Sequence, residues 1–222
     1  MLALLDLPLD VTIPVDDCDL RATLTVPAHP RGLVIVVHPA LFADHRPLTK
    51  ALQARGYATL RLDLTGHDRH AAPHVGRALL DVDQQVARLV AVTTWAGQQP
   101  ALRGLPVGYL GVGDRAGAAV SAAASLPTVV DAIATFGERY HVVHPLLPWV
   151  RTPTLLVTDD VAHERGPGWR VAMRHRVVAV PGRINDGAVL ARAAHLASEW
   201  IATNLRDVPS TTVAAPRRTA AR

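Results

Sequence analysis

Asp114 and Arg115 occupy the clearest setting for chemistry in this chain. They follow Gly111-Val112-Gly113, between an apolar run, Val107 to Leu110, and a stretch of small residues, Ala116 to Ala124. That order predicts a strand, a tight glycine corner and a closely packed helix. A carboxylate at such a corner could attack an electrophile and carry an ester intermediate. It could instead be a first-turn anion favoured by the helix dipole and the free amides, which is the reading adopted for Asp114. Arg115 either holds a carboxylate or phosphate by paired hydrogen bonds or is an exposed first-turn residue, and both readings stay open. Ser121 and Ser125 fall inside the helix, where a hydroxyl packs or bonds back to the preceding turn.

The histidines come next. His67-x-x-His70-x-x-x-His74 could set imidazoles around a metal, but the segment also holds Arg69 and Pro73, with Asp68 as its one carboxylate. A solvated loop is the expectation, with no metal and no cofactor. His141-x-x-His144 has similar spacing and receives the same reading. Cys18 stands alone, which excludes an intrachain disulfide and a cysteine-based metal site, so a cytoplasmic setting is the default expectation.

These residues need a scaffold, and length and composition bound it. A chain of 222 residues that is 49% hydrophobic suits one substantial α/β domain. It has no apolar run of membrane-spanning length. Its start, MLALLDLPLD, lacks a basic head and carries Asp6 and Asp10, unlike a secretory signal. Of the net charge of +4, Arg206, Arg217, Arg218 and Arg222 set against Asp207 supply +3, so the rest of the chain is nearly neutral. Residues 1–205 are read as the domain, and 206–222 as a basic, disordered tail. No cationic face with stacking aromatics is evident, so neither nucleic acid nor membrane is an expected partner. A small-molecule ligand is expected, and a homo-oligomer or protein partner stays open.

Along the chain, Val11 to Val15 and Leu20 to Val26 alternate as two strands around Asp16-Asp17, an antiparallel pair at a sheet edge. Gly32 to Val37 is a continuous apolar run of the kind buried on both faces of a parallel sheet. Leu48 to Arg55 reads as a helix stopped by Gly56, and Ala58 to Leu62 as a strand closing at Asp63. Residues 66–76 read as a polar connection. Arg77 to Ala96 reads as an amphipathic helix with Leu80, Val82, Val86, Leu89, Val90 and Trp95 toward the sheet. Val129 to Thr135, Pro153 to Thr158 and Val177 to Val180 are further strands, Pro145 to Pro148 a loop, and Gly187 to Leu205 the last helix. Alternation of strand and helix calls for a doubly wound, mostly parallel sheet with helices on both faces.

With that pattern in place, the chain resembles the dienelactone hydrolase-like branch of the α/β-hydrolases over about residues 10–205. The matching stretches are G-L-V-I-V-V-H-P-A, R-G-Y-A-T-L-R-L-D-L, L-P-V-G-Y-L-G, R-T-P-T-L-L-V, V-V-A-V-P-G and S-E-W-I-A-T-N-L. Each is weak alone; their order and spacing make the resemblance specific. It implies a single-domain α/β-hydrolase fold and makes the glycine corner the nucleophile elbow, where G-x-S-x-G lifts a serine above the sheet. Here the summit falls on Gly113 in the ungapped register, or on Arg115 if slid by two. Neither can form an acyl intermediate.

The resemblance also implies an acid just after Thr158, where the ungapped equivalent is Ala162 or Val161 and Asp159 or Asp160 lies nearer the strand. It implies a histidine a few residues after Pro181-Gly182, where this chain reads Arg183-Ile184-Asn185-Asp186. His38 matches a family histidine whose following residues, Ala40 and Leu41, shape the oxyanion loop, and Arg139 matches a family arginine. The expected pocket therefore gathers His38, Ala40, Leu41, Gly113, Asp114, Arg115, Arg139 and Asn185. The expected activity is binding without hydrolysis. The alternative is a divergent carboxylic-ester hydrolase, lyase or isomerase using Asp114 with Asp159 or Asp160.

Overall fold

The computed structural model describes residues 7–16, 18–39, 46–65, 67–68, 81–137, 143–158, 175–182 and 186–206. Two strands open it, β1 (Leu9–Val15) and β2 (Cys18–Thr25), antiparallel and in register from Leu9 opposite Leu24 to Val15 opposite Cys18. Alternation decides their faces: Ile13, Val15, Cys18, Leu20 and Ala22 are buried, while Thr12, Pro14 and Arg21 face outward. Strands β3 (Leu33–Val37) and β4 (Ala58–Leu62) follow, with α1 (Arg46–Gln53) between them. All five residues of β3 are buried, as its unbroken apolar run requires in a sheet covered on both sides.

The two-residue strand β5 (His67–Asp68) pairs with the start of β2, Asp19 opposite His67 and Cys18 opposite Asp68. This corrects the expectation that 66–76 is loop throughout: at 67–68 the backbone joins the sheet, and residues 66 and 69–76 lie outside the described residues. Helix α2 (Val82–Gln98) leads to β6 (Val107–Val112), and a 3-10 turn (Gly113–Arg115) feeds α3 (Ala116–Ser125). Then come β7 (Val130–Phe136), β8 (Thr154–Thr158), β9 (His175–Ala179) and α4 (Gly187–Asn204). The side chain of Asp186 caps α4 by accepting the amide of Ala188 at 2.8 Å.

The strand order is β1-β2-β4-β3-β6-β7-β8-β9, with β5 on β2. From β4 onward every neighbouring pair is parallel, so the sheet is mostly parallel with an antiparallel edge pair. Two cores fill its faces. Leu33, Ile35, Val37 and Tyr109 meet α2 and α3 residues on one side; Val34, Val36, Leu110 and Val112 meet α1 and α4 residues on the other.

Two sequence expectations need correction. Residues 144–149 are a 3-10 turn (His144–Trp149) rather than an open loop, because proline is pre-set for such a turn and Pro145 needs no amide partner there. On α2, Val82 is 50% exposed, while Gln85 and Arg88 are buried beside Leu89, Val92, Thr93 and Ala96. The buried stripe keeps helical spacing but admits polar residues, which a hydropathy pattern leaves out. Val82 begins the helix, one turn before the stripe's first buried residue. Leu80 lies outside the described residues, while Val86, Val90 and Trp95 do pack partly against the core.

Candidate functional site

Register brings the site together. Val37 at the end of β3 lies between Leu62 of β4 and Gly111 of β6, so the next residues along are His38, Asp63 and Val112. The amide of His38 still donates to the Leu62 carbonyl at 3.1 Å, holding the first step past the strand. Gly113 follows Val112 with φ +60, in the left-handed region that side chains resist. This is the sharp turn expected at the summit between strand and helix. The turn is tight because α3 lies close below it: a Cβ on Gly111 would sit 2.8 Å from Ala116 Cα and 2.9 Å from Ala119 Cβ.

Arg115 is neither the exposed residue nor the open anion holder considered from sequence. It is buried, with Nη2 3.3 Å from Asp63 Oδ1 and Nη1 3.2 Å from Asp114 Oδ2. Asp63 also accepts the amide of Thr65 at 3.2 Å and its hydroxyl at 2.5 Å. From α2, Arg88 donates to the carbonyls of Leu64 at 2.7 Å and Thr65 at 2.9 Å. Two buried guanidiniums thus strap the turn after β4 to α2, which precedes β6, and to the turn that follows β6 and opens α3. Sequence reasoning missed Asp63 and Arg88 as members of this site. The available signal was Arg88 standing in phase with Leu89, Val92 and Ala96, a charge where the helical period demands burial.

His38 is half-buried at the same edge. Because Pro39 O is an acceptor, Nδ1 at 3.1 Å from it carries the proton. Burial is the main cause lowering its pKa below 6.5, Arg61 and Arg115 act in the same direction, and the Pro39 bond and Asp63 oppose them. The imidazole is therefore neutral at neutral pH. Asp114 is exposed and engaged by Arg115; among the described residues no imidazole is hydrogen-bonded to it. Of the expected pocket, His38, Gly113, Asp114 and Arg115 come together at one edge. Ala40, Leu41, Arg139, Asp159, Asp160, Val161, Ala162 and Asn185 lie outside the described residues, as do His70, His74 and His141. Among the described residues no three histidine, cysteine or carboxylate groups cluster to hold a metal, and no helix is long and apolar enough to cross a membrane.

A mostly parallel sheet, crossed by helices on both faces and bearing a strand–turn–helix summit at its carboxyl edge, defines an α/β-hydrolase fold. A dienelactone hydrolase from Anabaena variabilis ATCC 29413 superposes with a TM-score of 0.78 at 30% identity, over 90% of this chain and 99% of that one. The chain belongs to the dienelactone hydrolase-like family of α/β-hydrolases. An esterase of Pyrococcus furiosus shares the fold at 14% identity and TM-score 0.70, over 89% of this chain and 92% of that one. No family model matches the sequence. A Mycobacterium tuberculosis protein, provisionally named a phosphoribosyl transferase, is 32% identical over 195 residues, 82% of this chain. The chain spans 43% of the length of that relative.

Proposed function

We propose that this protein binds a small molecule at the carboxyl edge of its sheet and performs no acyl transfer from the summit of the turn. Gly113 carries the reading: it occupies the left-handed summit after β6 and has no hydroxyl, thiol or carboxylate to attack with. The sequence from Pro181 to Gly187 contains no histidine, so a base is also missing from the segment where the family resemblance implies one. What stays is a polar floor of His38, Asp63, Asp114 and Arg115, suited to orienting a polar ligand.

A second reading rests on Asp114, whose side chain is 60% exposed beside the summit. As a nucleophile on a carboxylic ester it would form a mixed anhydride with the substrate acyl group, expel the alcohol and need water to release the acid. Its contact with Arg115 occupies one carboxylate oxygen, which dulls its attack. The transferase name of the mycobacterial relative brings a third activity to weigh. A phosphoribosyl donor needs a receptive anion cradle, and at the start of α3 the guanidinium of Arg115 is already shared between two carboxylates. The described edge does not favour that chemistry.

The test is a panel of p-nitrophenyl esters on the parent, Asp114→Asn, Gly113→Ser and Gly113→Ser/Asn185→His. The proposal expects no saturable turnover in the parent and its appearance in the double variant. Folding of the serine variants is checked by circular dichroism, since φ +60 costs a side chain about 1–2 kcal/mol. Saturable parent turnover overturns the proposal, and its loss in Asp114→Asn would install the second reading.

A further inference from the structure

Away from the carboxyl edge, a groove of about 440 Å³ opens where α4 runs along the last two strands. Leu196, Glu199, Trp200 and Thr203 stand three or four apart on α4, so they share one face of the helix and form one wall. Arg176 and Val178 alternate on β9 and therefore share a face, and Leu155 of β8 lies opposite Arg176 in register. They form the floor, and Arg55, just past α1, closes one end.

The charges do not balance. Arg55 donates from Nε to Ser198 Oγ at 3.1 Å and lies 3.8 Å from Glu199, whose carboxylate also meets His195 at 3.3 Å. Among the described residues Arg176 makes no ion pair or side-chain hydrogen bond, and it is exposed on the strand. Among the described residues, two guanidiniums against one carboxylate leave the groove cationic, with the unspent charge at Arg176 beside the aliphatic Leu155 and Val178. Trp200 supplies the aromatic surface, and its indole N–H points to the Pro153 carbonyl at 3.4 Å, which ties the ring to the start of β8. A planar guanidinium grips a carboxylate by two parallel bonds, and an indole beside it suits an aromatic body. The volume lies within the range of small-ligand sites.

We propose that this groove is a binding site for a small aryl carboxylate, held by Arg176 through its carboxylate and by Trp200, Leu155 and Val178 through its ring. It is separate from the edge that carries Gly113, so it stands or falls independently of the function proposed above.

The probe is 1-naphthoate, titrated into the full chain by isothermal calorimetry and tryptophan fluorescence, with neutral 1-naphthamide as comparison. Expected is saturable binding of the acid that weakens about tenfold or more in Arg176→Gln and in the amide, and several-fold as salt rises from about 50 to 300 mM. Arg176 is exposed, so this variant should fold, which circular dichroism checks. Trp200→Phe should keep the charge dependence while reducing the fluorescence response. Absence of binding, equal binding of acid and amide, or affinity unchanged in Arg176→Gln overturns the proposal. So does loss of binding in Asp114→Asn, which would place the ligand at the carboxyl edge instead.

Discussion

Arg115 reaches from the turn after β6 to the carboxylate of Asp63 at the end of β4, Nη2 to Oδ1 at 3.3 Å, passing the tip of the strand between them. Both side chains are largely withdrawn from water, at 9% and 15% exposure. A buried pair of this kind is weak evidence of net stability, but its halves depend on each other. Asp63→Asn should cost about 2–3 kcal/mol in urea unfolding, below the full penalty of an orphaned charge because Asp114 remains beside the guanidinium. Asp63→Asn/Arg115→Met should recover much of that loss. A loss in the double variant equal to the sum of those in Asp63→Asn and Arg115→Met alone would refute the coupling.

Thr93 and Tyr109 make an asymmetric pair. The Thr93 hydroxyl donates its single proton to the Leu89 carbonyl at 2.8 Å, so in its 2.6 Å contact with Tyr109 it accepts and the phenol donates. Burial pushes the phenol's pKa upward, with the Thr93 bond opposing, so it stays protonated and able to donate. Tyr109→Phe should therefore cost about 1 kcal/mol, whereas Thr93→Val should cost about 2, since it strands a buried O–H. Thermal or urea unfolding of the two variants checks the order, and equal losses would contradict the assigned proton.

The sheet was legible because its strands announce themselves in ways physics makes hard to counterfeit. Leu33 to Val37 cannot face water on either side, and Val11 to Val15 alternates as an edge strand must. Gly113 was legible too, since only glycine sits comfortably at φ +60 between an apolar strand and a helix of alanines. The electrostatics of the edge were not. Arg115 reads equally as an anion holder or an exposed residue until Asp63, fifty-two positions earlier, is brought beside it by parallel register, a relation with no local trace. Arg88 failed differently: its spacing marked it for burial, but its partners are backbone carbonyls, which sequence does not distinguish. Arg206, counted with the basic tail in the charge reckoning, bonds Asp131 at 2.6 Å and the Thr128 carbonyl at 3.3 Å, again a long-range meeting.

His38 predicts a pH dependence. Burial holds its folded pKa below 6.5, aided by Arg61 and Arg115 and opposed by Pro39 and Asp63, while the unfolded chain protonates near 6.5. As pH falls through 6.5 the unfolded state binds more protons than the folded one, so stability is lost on the acid side and is level above it. His38→Gln should flatten the fall in unfolding free energy between about pH 7 and pH 5, relative to the parent. Parallel slopes in the two proteins would show that His38 titrates alike folded and unfolded.

Gly111 sets how closely α3 can approach β6, and its replacement tests whether the turn at Gly113 depends on that approach. The Cβ of an alanine would meet Ala119 Cβ at 2.9 Å and Ala116 Cα at 2.8 Å. The second contact is with backbone, so trimming residue 116 cannot relieve it; the helix itself must move. Overpacking of this kind costs about 1–3 kcal/mol, and Gly111→Ala should lose that much in urea unfolding. Because α3 begins directly after Asp114 and Arg115, the shift would also lengthen the reach from Arg115 to Asp63 and make the Asp63→Asn penalty smaller in the Gly111→Ala background. An unchanged Asp63 penalty would mean that the ion pair adapts to the displaced helix. A Gly111→Ala variant within about 0.5 kcal/mol of the parent would mean that the close packing of strand and helix is not what holds the summit.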